Sequence, residues 1–367
     1  MSRIAFLVWR DTRHPEGGGS ELFVERIAEW LASRGHDVTI VCAAHGKAPG
    51  DEIRGGVRFR RRGGRLTVYP RGLGYLLSRP GRRTDIVVDV QNGLPFFAAL
   101  VRRRGVVTLV HHVHHEQWQI IYPGWRGHVG WWLESRAAPR LFRGRYVTVS
   151  EASRADLVAL GIHAERIQVA HNGLDISPPS HTVPRSTVPT ICVLGRLVPH
   201  KRVEHALEVA ARLRASMPDI RVDVIGDGWW RPELERHAHD LGVDDIVRFS
   251  GHVSDAERAR LLDRSWILLA PSVKEGWGIA IMEAAAHGVP AVAYRTAGGV
   301  RESIVDGETG RLVDDIEELA KAADELLTDA AVRERMGTAA RTRAGTFDWA
   351  GAGRRFADVL GVDQRLP

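Results

Sequence analysis

The sequence predicts an α/β protein built from two doubly wound domains in tandem. Three observations support this: short β-branched runs alternate with longer amphipathic segments, a proline-rich break interrupts the chain near its middle, and the alternation then restarts. The 367 residues suffice for two domains, each with its own core. Such alternation is typical of parallel sheets covered by helices on both faces.

The first half contains six predicted strands and three predicted helices. The strands are Ile4–Val8, Val38–Cys42, Asp85–Asp89, Val106–Val110, Tyr146–Val149 and Arg166–Ala170. The helices are Glu21–Ser33, Leu94–Arg103 and Glu151–Leu160. The basic stretch Arg58–Arg62, with Arg65, predicts a solvated hairpin, and a functional anion patch is the alternative.

The break is Ser177–Pro189, which carries four prolines in thirteen residues and is predicted to be an interdomain linker. The predicted strands after it are Thr190–Leu194, Arg221–Ile225, Ile246–Phe249, Ile267–Leu269 and Ala291–Tyr294. The predicted helices after it are Val203–Ala215, Arg231–Leu241, Asp255–Arg264 and Ile279–His287. Because ligands bind beyond the carboxyl ends of strands in open α/β sheets, we expect a ligand cleft between the domains.

Composition narrows the class of protein. No apolar run reaches the length of about 18 residues that a membrane-spanning helix needs, and Ile4–Trp9 is too short for a signal-peptide core. Cys42 and Cys192 lie in strand-like runs, so we expect buried thiols in a reducing cytoplasm. Up to Asp175 there are 26 Lys and Arg against 16 Asp and Glu, which predicts an anionic partner: nucleic acid, acidic lipid or a phosphorylated acceptor.

Two loops that follow predicted first strands have the composition of phosphate sites. Gly17–Gly19 opens the first helix, where main-chain N–H groups and the helix dipole favour an anion, although a plain turn is equally consistent. In the second domain, Arg196 and Lys201 stand five residues apart between a strand and a helix. Two cations at such a turn are suited to clamp a diphosphate.

A third segment, Glu275–Glu283, places one carboxylate before a predicted helix and another about 12 Å further along it. One carboxylate could meet sugar hydroxyls and the other ribose hydroxyls, while the N–H groups of Gly276, Trp277 and Gly278 face the phosphates between them. Because Glu283 lies in an apolar run, we expect it to have a buried polar partner or a ligand.

These motifs resemble the family-4 glycosyltransferases, which share the GT-B architecture. Glu275 and Glu283 match the E-x7-E motif of that family, and Arg196 and Lys201 match its G-R-x4-K pair. The resemblance covers almost the whole chain and includes Gly17–Gly19, Val149–Glu151, Asn172–Asp175, Gly226–Gly228, Gly251–Val253 and Phe347–Trp349. The implied domains are residues 1–176 on the acceptor side, a linker at 177–189, a donor domain at 190–345, and a C-terminal helix at 346–367 that returns to the first domain.

The resemblance implies a retaining transfer from a nucleotide sugar such as a UDP- or GDP-sugar. Arg196 and Lys201 would stabilise the leaving diphosphate, Glu275 would position the sugar ring, and Glu283 would bind the ribose. It also implies that Gly18 and Gly19 close over the phosphate and that Gly226 and His252 belong to the donor site. No metal or other cofactor is expected, because the sequence has no D-x-D pair to hold a diphosphate-bound cation.

Four histidines follow the predicted strand Val106–Val110. Only alternate side chains of a strand share a face, so the run is a poor metal site. By resemblance, His111, with His112 close behind, is predicted to be a neutral hydrogen-bond partner near the donor sugar.

Residues 118–145 mix aromatic and cationic side chains, and four of the eleven tryptophans fall there. Such a mixture suits a membrane interface, although a core helix with a basic outer face is equally consistent. The membrane interpretation predicts docking on an anionic membrane and a sugar acceptor that is lipid-linked or a cell-envelope glycan precursor.

Other functions remain open from the sequence. A nucleotide-sugar 2-epimerase of the same fold would share the diphosphate clamp, but the E-x7-E and G-R-x4-K motifs favour the transferase. A basic nucleic-acid-binding protein is disfavoured because no aromatic RNA-binding motif or zinc finger is present. An NAD oxidoreductase is disfavoured by the missing G-x-G-x-x-G fingerprint.

Overall fold

The structure is a computed structural model that describes residues 1–175 and 183–362. Two compact units make up the chain: unit 1 comprises Met1–Gly173 together with the segment that begins at Asp348, and unit 2 comprises Leu174–Phe347. Each unit is an α/β structure around a sheet whose strands are mainly parallel, as the sequence predicts. Within the two described ranges, no helix is long and apolar enough to cross a membrane.

Unit 1 contains an eight-stranded sheet in the order β3-β4-β2-β1-β5-β6-β7-β8. Its strands are β1 Arg3–Leu7, β2 Asp37–Cys42, β3 Asp51–Arg54, β4 Val57–Arg61, β5 Ile86–Gln91, β6 Val106–Val110, β7 Arg145–Thr148 and β8 Ile167–Val169. All neighbouring strands are parallel except β3 and β4, which form an antiparallel hairpin. The central strands are buried on both faces, which explains their continuous apolar runs.

The helices before the second sheet are α1 Gly19–Ser33, α2 Val68–Leu77, α3 Arg79–Arg82, α4 His115–Ile121, α5 Trp125–Trp132, α6 Ala138–Leu141 and α7 Glu151–Ala159. A π-helical turn at Leu133–Ala137 joins α5 to α6. Helix α1 buries Phe23, Ile27 and Leu31, which recur at helical spacing and turn one apolar face towards the sheet.

Unit 2 contains a six-stranded parallel sheet in the order β11-β10-β9-β12-β13-β14. Its strands are β9 Thr190–Leu194, β10 Arg221–Ile225, β11 Val247–Gly251, β12 Ile267–Ala270, β13 Ala291–Tyr294 and β14 Gly310–Val313. Its helices are α8 Val203–Leu213, α9 Arg231–Asp240, α10 Asp255–Arg264, α11 Ile279–Ala286, α12 Val300–Ser303, α13 Ile316–Thr328 and α14 Ala330–Ala344.

The C-terminal helix α15, Trp349–Leu360, belongs to unit 1. The ring of Phe356 lies 6.0 Å from the rings of both Phe6 on β1 and Phe23 on α1. Asp348 caps this helix by accepting a hydrogen bond from the main chain of Gly351. The chain therefore returns to the first sheet after completing the second, as the sequence predicts.

The predicted linker, Ser177–Pro189, is described only from residue 183 onward. In that part, the Arg185 guanidinium donates hydrogen bonds to the main-chain oxygens of Ser265, His287 and Gly288. The main chain of Ser186 is also bonded within the unit, to the carbonyl of Arg264. This part of the linker is therefore anchored to unit 2.

The predicted helix Leu94–Arg103 is wrong. Only Ala98–Leu100 forms a helical turn, of the 3-10 type. The buried Asp89 carboxylate accepts hydrogen bonds from the main-chain N–H groups of Phe96, at 2.9 Å, and Ala98, at 2.8 Å. Because these N–H groups are satisfied by a side chain on β5, they are not available to build an α-helix.

The predicted hairpin at Arg58–Arg62 is present, but it is not solvated throughout. The Arg61 side chain is buried, with its Nε 2.6 Å from an Asp11 carboxylate oxygen and its Nη1 2.9 Å from Glu52. The next residue, Arg62, is exposed. The pattern of arginines did not distinguish the buried side chain from its exposed neighbours, because the partner carboxylate comes from the loop after β1.

Candidate functional site

The cation turn of unit 2 is the loop from Gly195 to Lys201, between β9 and α8. It is bonded main chain to main chain with the loop that follows β10: Gly195 donates to the carbonyl of Ile225 at 3.0 Å, and Leu197 donates to the carbonyl of Asp227 at 3.0 Å. A Cβ atom added to Gly226 would lie 1.9 Å from the oxygen of Gly195. Gly226, one of the predicted site residues, therefore allows the two loops to approach closely because it has no side chain.

Lys201 and Glu275 form an ion pair at the carboxyl edge of the second sheet. Lys201 Nζ lies 2.6 Å from Glu275 Oε1, and the buried Ser272 hydroxyl donates to the same oxygen at 2.7 Å. A pocket at this point is lined by Lys201, Glu275 and Ser272 together with Arg196, which is exposed at its position on the cation turn. The structure thus brings three of the predicted site residues together.

Glu275 is an ionised carboxylate in this environment. Burial tends to raise its pKa, but the charge of Lys201 and the hydrogen bonds from Lys201 and Ser272 outweigh burial, so the pKa lies below the ordinary value. The main chain is fixed as well, since the N–H of Glu275 donates to Ala297 and its carbonyl accepts from Gly299. A charged acceptor of hydrogen bonds is therefore held in a defined position.

The segment between Glu275 and α11 offers its main chain rather than its side chains. The Trp277 ring is 2% exposed and packs edge-on against Phe347, so the predicted contribution of Trp277 to a ligand site is confined to its backbone. Gly278 precedes α11 in the left-handed conformation, with φ of 89°, which favours glycine. A Cβ on Gly299 would lie 2.1 Å from the oxygen of Gly276, so this loop is closely packed.

Glu283 lies on α11 and has the partner that the sequence analysis expected. Its carboxylate is 3.6 Å from the guanidinium of Arg258 on α10. Burial raises the pKa of Glu283, Arg258 opposes the rise, and the charges of Asp255 and Asp175 add to it. The side chain is not sealed in the core, however, and remains partly accessible.

His252 follows β11 directly and is exposed. The preceding residue, Gly251, accepts a hydrogen bond at 3.0 Å from the N–H of Gly226. The loops after β9, β10 and β11 are therefore linked in series along one edge of the sheet, with His252, Gly226 and the cation turn on successive loops. This is the edge at which open α/β sheets bind ligands.

In unit 1, the glycine-rich loop forms the start of α1. Gly18 is the N-cap residue, and its N–H donates at 2.8 Å to the carboxylate of Glu21, which is buried and also 3.0 Å from Arg10. Gly19 is the first residue of the helix. The buried carboxylate of Glu21 therefore holds the loop before α1 in place, and the first turn of α1 presents main-chain N–H groups.

His111 follows β6 and is buried against the ring of Phe23, with ring centres 5.5 Å apart. Burial lowers its pKa to about 4, so the imidazole is neutral near pH 7. Among the residues that the structure describes, neither ring nitrogen of His111 has a hydrogen-bond partner. The neighbouring His112 is half-buried, and its ring lies 4.2 Å from that of His114.

Several contacts of these residues were not anticipated. Ser272, Arg258 and Glu21 support Glu275, Glu283 and Gly18, respectively. Ser272 and Glu21 lie three residues from the groups that they bind, so local spacing could have found them. Over residues 1–175 and 183–362, no group of three or more His, Cys, Asp or Glu side chains is arranged to hold a metal ion.

Two models of known protein families together match almost the whole chain. The family model described as Glycosyltransferase Family 4 matches residues 17–178, and the model described as Glycosyl transferases group 1 matches residues 180–343. The chain belongs to the family-4 glycosyltransferases. Its fold is the GT-B fold of that family, as the sequence predicts.

Two relatives and one solved structure illustrate the similarity. The GDP-mannose-dependent α-(1-6)-phosphatidylinositol monomannoside mannosyltransferase of Mycolicibacterium smegmatis is 34% identical over 182 residues, which cover 47% of each chain, so the match spans about half of that relative. The MMP α-(1->4)-mannosyltransferase of Mycolicibacterium hassiacum is 28% identical over 95% of each chain. Sucrose-phosphate synthase from Thermosynechococcus elongatus superposes with a TM-score of 0.84 at 18% identity, covering 98% of each chain.

Proposed function

We propose that this family-4 protein is a retaining glycosyltransferase that moves a sugar from a nucleoside diphosphate sugar to a sugar or lipid-linked acceptor. The observation that carries the proposal is the ion pair of Lys201 and Glu275, 2.6 Å apart, in a pocket that Arg196 also lines. A cation and an ionised carboxylate at one sheet edge are suited to bind the two parts of such a donor. The cation suits the diphosphate, and the carboxylate suits the hydroxyls of the sugar.

The chemistry of the donor side follows from charge. As the bond between the sugar and the diphosphate breaks, negative charge grows on the phosphate oxygen that leaves, and Lys201 and Arg196 stabilise it. Glu275 is already ionised and accepts hydrogen bonds from sugar hydroxyls, which orients the ring. Glu283 accepts from the ribose hydroxyls, and the N–H groups of Gly276, Trp277 and Gly278 before α11 donate to the phosphates.

The candidate site residues of unit 1 are also suited to bind parts of a nucleoside diphosphate sugar. The N–H groups of Gly18 and Gly19, at the N-terminus of α1, suit a phosphate oxygen. His111 is neutral near pH 7 and has ring nitrogens without a described partner, so it suits a hydrogen bond with an uncharged sugar hydroxyl. We assign His112 and His252 to the donor site as well, and we expect neither a metal ion nor another cofactor to be required.

A turnover assay tests the role of the cation turn. Lys201→Ala should lower kcat about 100-fold or more, because a charge that stabilises the leaving group is removed. The matched control is Arg212→Ala, which removes an exposed cation of the same unit that pairs with Glu317. Its kcat should stay within about twofold of wild type. Near-normal kcat for Lys201→Ala would contradict the assignment.

Calorimetry with UDP, GDP and their sugar conjugates, with and without a chelator, identifies the donor and tests for a metal. Because the M. smegmatis relative is a GDP-mannose-dependent mannosyltransferase, GDP-mannose is the first donor to try. We expect one nucleoside diphosphate to bind equally well in chelator. Binding that requires a divalent cation would contradict metal independence, and binding of no nucleotide would contradict the donor site.

The acceptor proposal rests on α5, which presents an exposed apolar stripe. Trp125 and Trp132 are 71% and 58% exposed, and Val129 lies between them at helical spacing. The exposed Arg126 and Arg136 flank the stripe. Exposed tryptophans beside arginines suit an anionic membrane surface, so we propose peripheral docking on the cytoplasmic face of a membrane and an acceptor of the cell envelope presented there.

Sedimentation with phosphatidylglycerol vesicles at low salt tests the membrane proposal. Wild type should sediment with these vesicles and not with phosphatidylcholine vesicles. Substituting both Trp125 and Trp132 with alanine should abolish most of the binding. The matched control is Trp229→Ala, because Trp229 is 61% exposed but lies in unit 2. Equal losses in the control, or no binding by wild type, would contradict the assigned surface.

A further inference from the structure

A polar pocket opens at the amino ends of the strands of unit 1, away from the proposed donor-site residues. It is lined by Arg3, Ile4, Asp37, Thr39, Arg58, Tyr75, Pro80, Arg83 and Thr84. Strand register explains why polar groups gather there. Arg3 pairs with Asp37, and Thr39 pairs with Arg58 across the next ladder. These positions share a sheet face with Leu7 and Val41, further along β1 and β2, whose side chains pack beside α2.

The face is therefore apolar where α2 covers it and becomes polar at the amino ends, where α2 stops and α3 begins. The pocket contains three guanidinium groups and one carboxylate. Arg58 lies 3.6 Å from Asp37, which is within ion-pair range but longer than a hydrogen bond. Among the described residues, the guanidinium groups of Arg3 and Arg83 form no ion pair and no hydrogen bond. The pocket thus has an excess of positive charge.

Two threonine hydroxyl groups in the wall add hydrogen-bond donors to this positively charged pocket. Thr39 and Thr84 are each 6% exposed, yet both line the pocket. A hydroxyl group donates one hydrogen bond, which an oxygen of an anion can accept. A ligand with several acceptor oxygens could therefore bond to both hydroxyls.

We propose that this pocket is a second anion site, which binds a small ligand through a phosphate monoester group or as inorganic phosphate. A phosphate offers enough oxygens to accept from the guanidinium groups of Arg3 and Arg83 and from the two threonine hydroxyls together. Arg58 adds charge on the side of Asp37. The site does not depend on the donor chemistry of unit 2, because every lining residue belongs to unit 1.

The site is also separate from the glycine-rich loop of unit 1. The pocket lies at the Arg3 end of β1, whereas that loop follows the Leu7 end, and the five residues of β1 span roughly 13 Å. Occupancy at one end of the strand therefore does not compete directly with occupancy at the other. A phosphorylated ligand bound here would therefore be distinct from the donor.

Calorimetric titration of the full-length protein with inorganic phosphate, against sodium chloride of equal ionic strength, tests the proposal. Wild type should bind phosphate, and Arg83→Ala should weaken the affinity about tenfold or more through the loss of charge-assisted hydrogen bonds. Thr39→Val removes a hydroxyl at nearly constant volume and should weaken it as well. The matched control is Arg82→Ala, which removes an exposed arginine one residue away that does not line the pocket.

Lys201→Ala locates the bound ion, because the cation turn of unit 2 is a second place with the charge to bind phosphate. Retention of phosphate binding in Lys201→Ala together with its loss in Arg83→Ala supports the pocket. The proposal is overturned if wild type does not bind phosphate, if Arg82→Ala weakens binding as much as Arg83→Ala, or if only Lys201→Ala abolishes it. Circular dichroism of each variant shows whether a loss reflects binding or misfolding, and Thr39→Val provides a second test if Arg83→Ala does not fold.

Discussion

Removing Lys201 should destabilise unit 2 in a way that depends on pH. The ion pair with Glu275 is short, at 2.6 Å, and its side chains are only 21% and 16% exposed. At an effective dielectric constant of about 20, two charges at that separation attract each other by about 6 kcal/mol. Most of this is offset by the cost of removing both charges from water, and a partly buried pair is worth less than a fully buried one. We expect Lys201→Ala to cost about 2 kcal/mol at pH 7.

The sign of the pH dependence follows from Glu275. In the wild type its folded pKa is depressed, so its contribution to stability is present above the ordinary pKa and is lost as the pH falls through the folded pKa. In Lys201→Ala, burial is no longer opposed by the cation, and the pKa of Glu275 should rise above the ordinary value. Protonation then relieves the unpaired carboxylate, so the variant recovers stability relative to wild type as the pH falls from 7 towards 4.5.

A double-mutant cycle measures this coupling. Lys201→Ala, Glu275→Gln and the double variant are unfolded in urea at pH 7 and pH 4.5, with tryptophan fluorescence as the signal. The interaction free energy should be about 2 kcal/mol at pH 7 and less than about half of that at pH 4.5. Additive effects at pH 7, or an equal cost of Lys201→Ala at both pH values, would refute the electrostatic reasoning and leave Lys201 as a packing residue.

Three further predictions concern stability. Burial lowers the pKa of His111 from 6.5 to about 4, so between these pH values the unfolded chain binds a proton that the folded protein does not, and the free energy of unfolding decreases as the pH falls. In urea unfolding, wild type should lose about 2 kcal/mol more than His111→Phe between pH 7 and pH 5. Arg61→Ala removes the guanidinium partner of the buried Asp11 carboxylate, which among the described residues then keeps only His45 and the main-chain N–H of His14, and should cost about 3–5 kcal/mol. The exposed Arg62→Ala should cost less than about 1 kcal/mol, and equal costs would show that burial does not matter. Gly228→Ala would place a Cβ atom 2.1 Å from a main-chain oxygen of the cation turn and should lower the melting temperature by several degrees, whereas Gly46→Ala meets nothing within 4 Å and should leave it unchanged.

The central strands could be predicted from the sequence because they are buried on both faces. The predicted bounds of β6, β9, β10 and β13 agree with the structure residue for residue. Two strands, β3 and β14, were missed. Their apolar side chains are only Ile53 in β3 and Leu312 and Val313 in β14, so neither contains an apolar run long enough to indicate a strand.

The candidate site could be predicted as a set of motifs but not as a set of contacts. Spacing alone selected Arg196, Lys201 and the two glutamates, because a ligand site at a sheet edge draws on a few short loops. Arg258 is 25 positions from Glu283 in the chain and reaches it only because α10 packs beside α11, so no local pattern could indicate the pair. The same limit applies to arginines in one strand, where burial of Arg61 depends on a carboxylate from a distant loop.

Main-chain hydrogen bonds fix the cation turn together with the buried side chain of Leu197, which packs in the core of unit 2. The loops after β9 and β10 meet through N–H and carbonyl groups, and glycines at both sides permit that approach. Arg196 is exposed on this framework, so replacing its side chain should change the charge of the turn without moving Lys201. Gly226 and Gly228 should be the sensitive positions for the geometry of the turn, because any side chain there pushes the two loops apart. The charge of Arg196 can therefore be altered independently of the fold, whereas that of Lys201 cannot, because Lys201 is paired with Glu275.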